Sequence, residues 1–314
     1  MYGYIIRRLL LSIPTLVLVT IGSFALIRLV PGDVVLAKVG ESGNTANLDK
    51  IRAELGLDQP FLVQYFRFVG GVLKGDPGNS LWSTKPVTSE FLDALPVSLE
   101  LGILAMITSV IIAIPTGIVS AIRQDKIIDY VARLFAIIGT SIPDYWLATV
   151  CVVYFALWFG YLPPLGFVGP FQDPTKNLSQ IYLPGLILGY RLAATTTRMV
   201  RSQMLEVLRQ DYIRTAWAKG LRERSVIASH AMKNSLIPVV TIWGTQISVI
   251  FGGTVILESI FALPGVGRLT FTAIQQRDYT QIQFNVLALA SIIVLVNLAV
   301  DLAYGWLDPR IRYR

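Results

Sequence analysis

Hydrophobic residues in this chain gather into long continuous runs separated by polar segments, not into short alternating stretches, so the expected elements are membrane helices. Runs long enough to cross roughly 30 Å of hydrocarbon occupy 9–30, 99–122, 131–159, 236–261 and 284–306. A weaker run at 181–194 reaches membrane length if its helix continues through Thr195, Thr196 and Thr197 toward Met204, because threonine hydroxyls bond back onto helix carbonyls. The pattern predicts an all-α integral membrane protein with six transmembrane helices. It divides the chain into an N-terminal tip with the first span (1–30), an extracytoplasmic segment (31–97) and a five-helix core (98–314). In the middle part, turn residues cluster at 31–33, 40–43 and 75–78, and amphipathic helices are expected at 48–55 and 61–73. A cap lying against the membrane, in reach of an external partner, fits that segment better than an independent catalytic module.

The chain's most distinctive polar stretch lies between two apolar runs, at 211–228. As a helix it places Ile213, Ala216, Trp217 and Gly220 on one apolar face, at i, i+3, i+4 and i+7, with Asp211, Arg214 and Arg222 elsewhere. Such a face suits docking into a partner's groove. Small Ala216 and Gly220 allow close approach, and Gly220 is suited to end the helix in a left-handed conformation.

Charge fixes the expected orientation. With the N-terminus inside, sixteen Lys and Arg residues fall on the cytoplasmic side, eight of them between Arg198 and Lys233, against nine outside. Both termini and the 211–228 segment are therefore expected in the cytoplasm. The net charge of +7 accordingly marks topology and does not point to nucleic acid. Arg7 and Arg8 precede an apolar run longer than a signal-peptide core, so the first run reads as a retained anchor. With 54% hydrophobic and 15% charged residues, the composition is that of a membrane protein in contact with lipid.

Several chemistries are disfavoured. His230 is the single histidine, which leaves no Ser-His-Asp or multi-histidine metal site, and Cys151 is the single cysteine, which leaves no disulfide within the chain. None of the eight lysines follows a glycine, so no phosphate-binding loop is present, and any ATP must be hydrolysed by another chain. Ionisable residues within apolar runs carry the remaining signal. Asp144 follows Pro143 in the third run, where it either lines a substrate path or caps the half-helix after the proline. Arg191, in the fourth, either faces that path or pairs with a carboxylate such as Asp144. Glu100, Glu258 and Asp301 lie near run ends, where snorkelling or capping accounts for them. Gly252 and Gly253 mark close helix packing.

Five motifs in order give the chain a resemblance that extends over its whole length. They are Pro31-Gly-Asp33, Ser141-Ile-Pro-Asp-Tyr-Trp146, Arg214-Thr-Ala-Trp-Ala-Lys-Gly-Leu221, Glu258 with Phe261-Ala-Leu-Pro-Gly-Val-Gly-Arg-Leu269, and Leu307-Asp-Pro-Arg-Ile-Arg-Tyr313. Together they resemble the permease subunit of bacterial peptide-type ABC importers, the group carrying dipeptides, oligopeptides, glutathione or nickel complexes. In that superfamily a Glu-Ala-Ala, three variable residues and Gly lie on a coupling helix docked into the ATPase. Aligned on Gly220, Arg214 stands at the Glu position, Thr215 at the first Ala and Ala216 at the second; Asp211, one turn earlier, is the acidic substitute.

The resemblance implies a type I ABC importer permease fold in a bacterial inner membrane. It also implies alternating access driven by two ATP-binding subunits, with a second homologous permease and an extracytoplasmic substrate-binding protein. It implies no catalysis and no cofactor in this chain, ATP and Mg being bound by the partners. Asp211, Ile213, Arg214, Thr215, Ala216, Trp217, Lys219, Gly220 and Leu221 would then couple to the ATPase, and Asp144 and Arg191 would line the path. The alternatives are an ion-coupled secondary transporter, for which Asp144 is the one mid-span acid and no internal repeat is visible, and a membrane enzyme.

Overall fold

The computed structural model describes residues 2–29, 52–53, 56–160, 162–163 and 166–307. Among them all the regular structure is helical, apart from one isolated bridge between Asn79 and Pro86. The turns expected at 31–33 and 40–43, most of the helix expected at 48–55, and the terminal motif beyond Leu307 lie outside the described residues. The chain divides into two compact units, Met1–Val97 with Pro264–Leu295, and Ser98–Leu263 with Val296–Arg314.

In the first unit, α1 (Tyr2–Leu29) carries the first apolar run and α2 (Phe61–Lys74) is the expected amphipathic helix. The two are pinned by aromatic contacts. Phe24 meets Phe61 and Tyr65 edge-on at 5.0 and 5.6 Å, and the Tyr65 hydroxyl lies 3.1 Å from Thr20 Oγ1. Gly75, at φ +80°, ends α2, where a side chain with a Cβ would be strained. α3 (Val87–Ile122) starts twelve residues before the apolar run at 99 and runs through Pro96, the proline that sequence suggested as a boundary. Phe91 and Ala94 on its first turns form a core with Val266. The loop before α3 is fastened by Asp278, which is buried and accepts from Ser80 Oγ at 2.5 Å and from Leu81 N at 2.9 Å.

In the second unit, α4 (Ile127–Ser141) and α5 (Asp144–Phe159) replace the single kinked span expected over 131–159. They meet at 96°. The cause is local: Ile142, pushed out of the helical region by the following proline, and Pro143 itself are both extended (ψ 124° and 135°), so two consecutive residues break the helix instead of bending it. α6 (Pro174–Leu208) continues the short fourth run far beyond 194. Its start is capped by Asp173, which accepts from Lys176 N, an N–H that holds the Asp173 carboxyl below its ordinary range. Thr196 Oγ1 donates to Leu192 O at 2.9 Å, the expected back-bond. α6 is packed through small residues: a Cβ on Gly189 would lie 2.5 Å from Thr108, and one on Gly139 of α4 would lie 2.7 Å from Ala194.

α7 (Asp211–Ala218) follows, then short helical turns through 235 that include a π-helical turn at Val226–Ala231, and α8 (Ile237–Ile260). α9 (Val266–Gln276) belongs to the first unit, and α10 (Tyr279–Leu307) carries the last apolar run. Three described helices, α3, α8 and Tyr279–Val300 of α10, are long and apolar enough to cross a membrane, and α4 with α5 makes a fourth if the bent pair is one span. α6 has the length but not the uniform apolarity. Its polar Asn177, Gln180, Thr196 and Thr197 are turned into the protein interior.

Candidate functional site

In the 211–228 segment the first helix ends at Ala218 and helical turns resume at Glu223, so the expected continuous helix is interrupted. Its end is a Schellman turn: Gly220, at φ +75°, donates from N to Trp217 O at 2.9 Å, and Leu221 N donates to Ala216 O at 3.3 Å. The left-handed glycine read from sequence is present. The expected apolar face, however, is split: Trp217 and Gly220 are exposed, while Ile213 and Ala216 are turned inward. Ile213 is fully buried and Ala216 nearly so, in a core with Val200, Met204, Val207, Val226 and Val239. An apolar helix face in water must be covered, and the chain covers this one with its own α6 and α8. What stays exposed is the rest of the helix and its closing turn, including Tyr212, Arg214, Thr215, Trp217, Lys219, Gly220 and Leu221. Asp211 and Arg214 form a solvent-exposed pair at 3.4 Å, so the acid one turn earlier engages the arginine that replaces glutamate. A Cβ on Gly220 would meet nothing within 4 Å in this chain.

The second constellation joins three helices. Arg191, midway along α6, donates from Nη1 to Asp144 Oδ2 at 2.7 Å, and Asp144 is the first residue of α5. Asp144 Oδ1 accepts from Tyr145 N at 3.2 Å, so the carboxylate serves the helix start and the ion pair together. Gly253 of α8 completes the site: a Cβ there would lie 3.8 Å from Asp144 Oδ2 and 3.6 Å from Leu188. Gly252 has open space beside it, so of the two glycines only Gly253 fits the packing role. The pair is unevenly exposed, with 45% of the Arg191 side chain accessible against 11% for Asp144.

Sequence reasoning passed over a third group. Asp129, fully buried, accepts from both Arg201 Nε and Nη2, at 2.7 and 2.8 Å, from Ser120 Oγ at 2.6 Å and from Asp125 N at 3.1 Å. Arg201 had counted only as a topology charge. Its position beside Thr197, Val200 and Met204 on one helical stripe was the signal that it points inward. Glu258, taken as a run-end residue, is fully buried and accepts from Ser98 Oγ at 2.7 Å, so snorkelling does not describe it. Glu100 accepts from Asn177 Nδ2 at 3.2 Å. Asp301 lies among residues whose side chains are not described.

A helical chain with several membrane-length apolar helices and an exposed turn anchored on its core has the architecture of a polytopic membrane protein. The chain belongs to the family of binding-protein-dependent transport system inner membrane components: that family's model matches residues 113–313, and the model of its N-terminal region matches 1–102. The chain is 41% identical to the dipeptide transport system permease protein DppB of Alkalihalophilus pseudofirmus and 38% identical to that of Escherichia coli strain K12, in each case over all of both chains. It is also 38% identical, over all of both, to a putative peptide transport system permease protein of Brucella abortus. Membership favours neither the secondary transporter nor the membrane enzyme.

Proposed function

We propose that this chain is the permease subunit of an ATP-driven peptide importer, forming half of the translocation path with a second, homologous permease. The whole-length match to dipeptide and peptide permeases supports the cargo class. An extracytoplasmic binding protein delivers cargo, and two ATP-binding subunits, which hold ATP and Mg, power alternating access from the cytoplasmic side. In this reading the protein is a multi-pass component of a bacterial inner membrane. Its six spans include α1 and α6, and residues 31–97 form the extracytoplasmic segment before the core at 98–314. Both termini are cytoplasmic, on the strength of the basic-residue distribution.

The observation that carries the coupling role is the two-sided character of α7. Ile213 and Ala216 bond it to the core that α6 and α8 share, while Tyr212, Arg214, Trp217, Lys219 and Leu221 face outward beside the exposed turn at Gly220. A helix fixed on one side and free on the other transmits a push from a docked ATPase to the helices it is fixed to. Asp144 and Arg191, where α5, α6 and α8 converge, line the path. In a Cys151→Ser background, a cysteine at Lys219 is expected to cross-link to an ATP-binding subunit of the purified complex. An intact complex giving no such cross-link with short reagents at Lys219 or Trp217 would remove the coupling role from α7.

A further inference from the structure

We infer that Arg191, steered by Asp144, is the docking group for the carboxylate of the transported peptide. This rests on the peptide-import reading above and names the chemistry of its path.

Among the described residues of the second unit, two arginine–aspartate pairs join different helices, and they are built differently. Arg201 and Asp129 are locked by two nitrogens on two oxygens, with the carboxylate wholly inaccessible and the arginine 20% exposed. That is a structural clamp. Arg191 gives Asp144 a single N–H, from Nη1, and leaves 45% of its side chain open. A guanidinium carries five N–H donors in a planar fork, so the rest of the fork is available to an acceptor that arrives from outside.

Depth makes the exposure informative. Arg191 stands midway along the helix Pro174–Leu208, roughly 25 Å from either end at about 1.5 Å per residue. In the six-span reading proposed above α6 crosses the membrane, where an exposed cation at that depth is costly against lipid, so its open side faces a water-filled passage or protein. The partly shielded Asp144 fixes the guanidinium without capturing the fork, and Gly253 keeps the approach over the carboxylate free of a side chain. A peptide always carries a terminal carboxylate whatever its side chains, and a planar fork matches that group in two parallel hydrogen bonds. The site therefore reads the one anionic feature that all such cargo shares.

The test uses the complete complex in proteoliposomes with its binding protein, and compares uptake of a short peptide with uptake of the same peptide amidated at its C-terminus. The binding protein's own preference is the same for every permease variant, so it cancels when each variant's free-acid to amide ratio is divided by that of wild type. Arg191→Gln is expected to lower the free-acid to amide uptake ratio by about tenfold or more relative to wild type, the value of a hydrogen bond to a charged group. Arg191→Lys should recover part of the loss. The double variant Asp144→Asn with Arg191→Gln, which leaves no unpaired charge, should repeat the single variant's selectivity, and it supplies the result if the single variant does not assemble. An equal fall for both peptides would overturn carboxylate recognition and leave the path assignment standing. Normal uptake of both would overturn both, returning the pair to a structural contact or a contact with the second permease. Failure of the wild-type complex to import either peptide would instead overturn the cargo reading on which this rests.

Discussion

Arg201 of α6 grips Asp129 of α4 through two parallel hydrogen bonds, Nε to Oδ1 and Nη2 to Oδ2, at 2.7 and 2.8 Å. Ser120 of α3 adds a third bond to the same carboxylate, so three helices are fastened a short distance along α6 from the turn that begins α7. Buried charges are tolerated only when this completely paired, and removing one partner strands the other. Asp129→Ala should therefore cost about 3–5 kcal/mol, seen as a large drop in the melting temperature of the detergent-purified protein. Replacing both residues with apolar ones of similar size should recover most of it. Little change in the single variant would mean that water reaches Arg201 and relieves it.

Anchoring and docking on α7 are separable by substitution. Ile213→Ala removes a fully buried side chain from a packed core and should destabilise the permease by about 2–5 kcal/mol. Trp217→Ala removes a side chain that is 44% exposed and should leave the melting temperature nearly unchanged. If α7 couples as proposed, Trp217→Ala instead abolishes the stimulation of ATP hydrolysis by loaded binding protein in nanodiscs. Normal stimulation in a Trp217→Ala complex would argue that this face contacts no ATPase.

Gly220→Val acts through the backbone. At φ +75° a β-branched residue is strained by about 1–2 kcal/mol, and with nothing within 4 Å the strain does not come from a clash inside this chain. The Schellman turn should loosen, the exposed end of α7 should shift, and uptake should fall while insertion and pairing with the second permease persist. Gly220→Asn, which tolerates the left-handed region better, should retain more activity than Val. Equal activity of the two variants would exclude the backbone explanation.

Apolar run length was enough to locate α1, α3, α8 and α10, because a sustained run needs no tertiary information. It was insufficient at Pro143, where a proline that could bend a helix and one that breaks it look alike in sequence, and the difference lies in the extended backbone of Ile142. The glycine that closes α7 was legible because only its conformation mattered. The direction of the α7 face was not: an apolar stripe says that Ile213 and Ala216 are covered, but not whether the cover is another chain or the buried stripe of α6 six to sixteen residues earlier. The Asp129–Arg201 clamp escaped for a related reason. Charge counted for topology says nothing about which helical flank a particular arginine occupies.

Topology rests on α6. At about 1.5 Å per residue the helix Pro174–Leu208 is roughly 50 Å long, well beyond the roughly 30 Å of hydrocarbon it would cross. If it spans, Ser179 near its start and Glu223 beyond its end, both exposed, lie on opposite sides of the membrane. With the free Cys151 replaced by serine, a cysteine at Ser179 should react with a membrane-impermeant maleimide in intact spheroplasts, and one at Glu223 only after lysis. The polar residues of α6 make this the decisive span, since they keep it from qualifying on apolarity and yet are buried inside the protein, where lipid does not meet them. Labelling of both positions in intact cells would place the two ends of α6 on the same side. That would remove it as a span, reduce the count below six and take Arg191 out of the membrane, along with the path assigned to it.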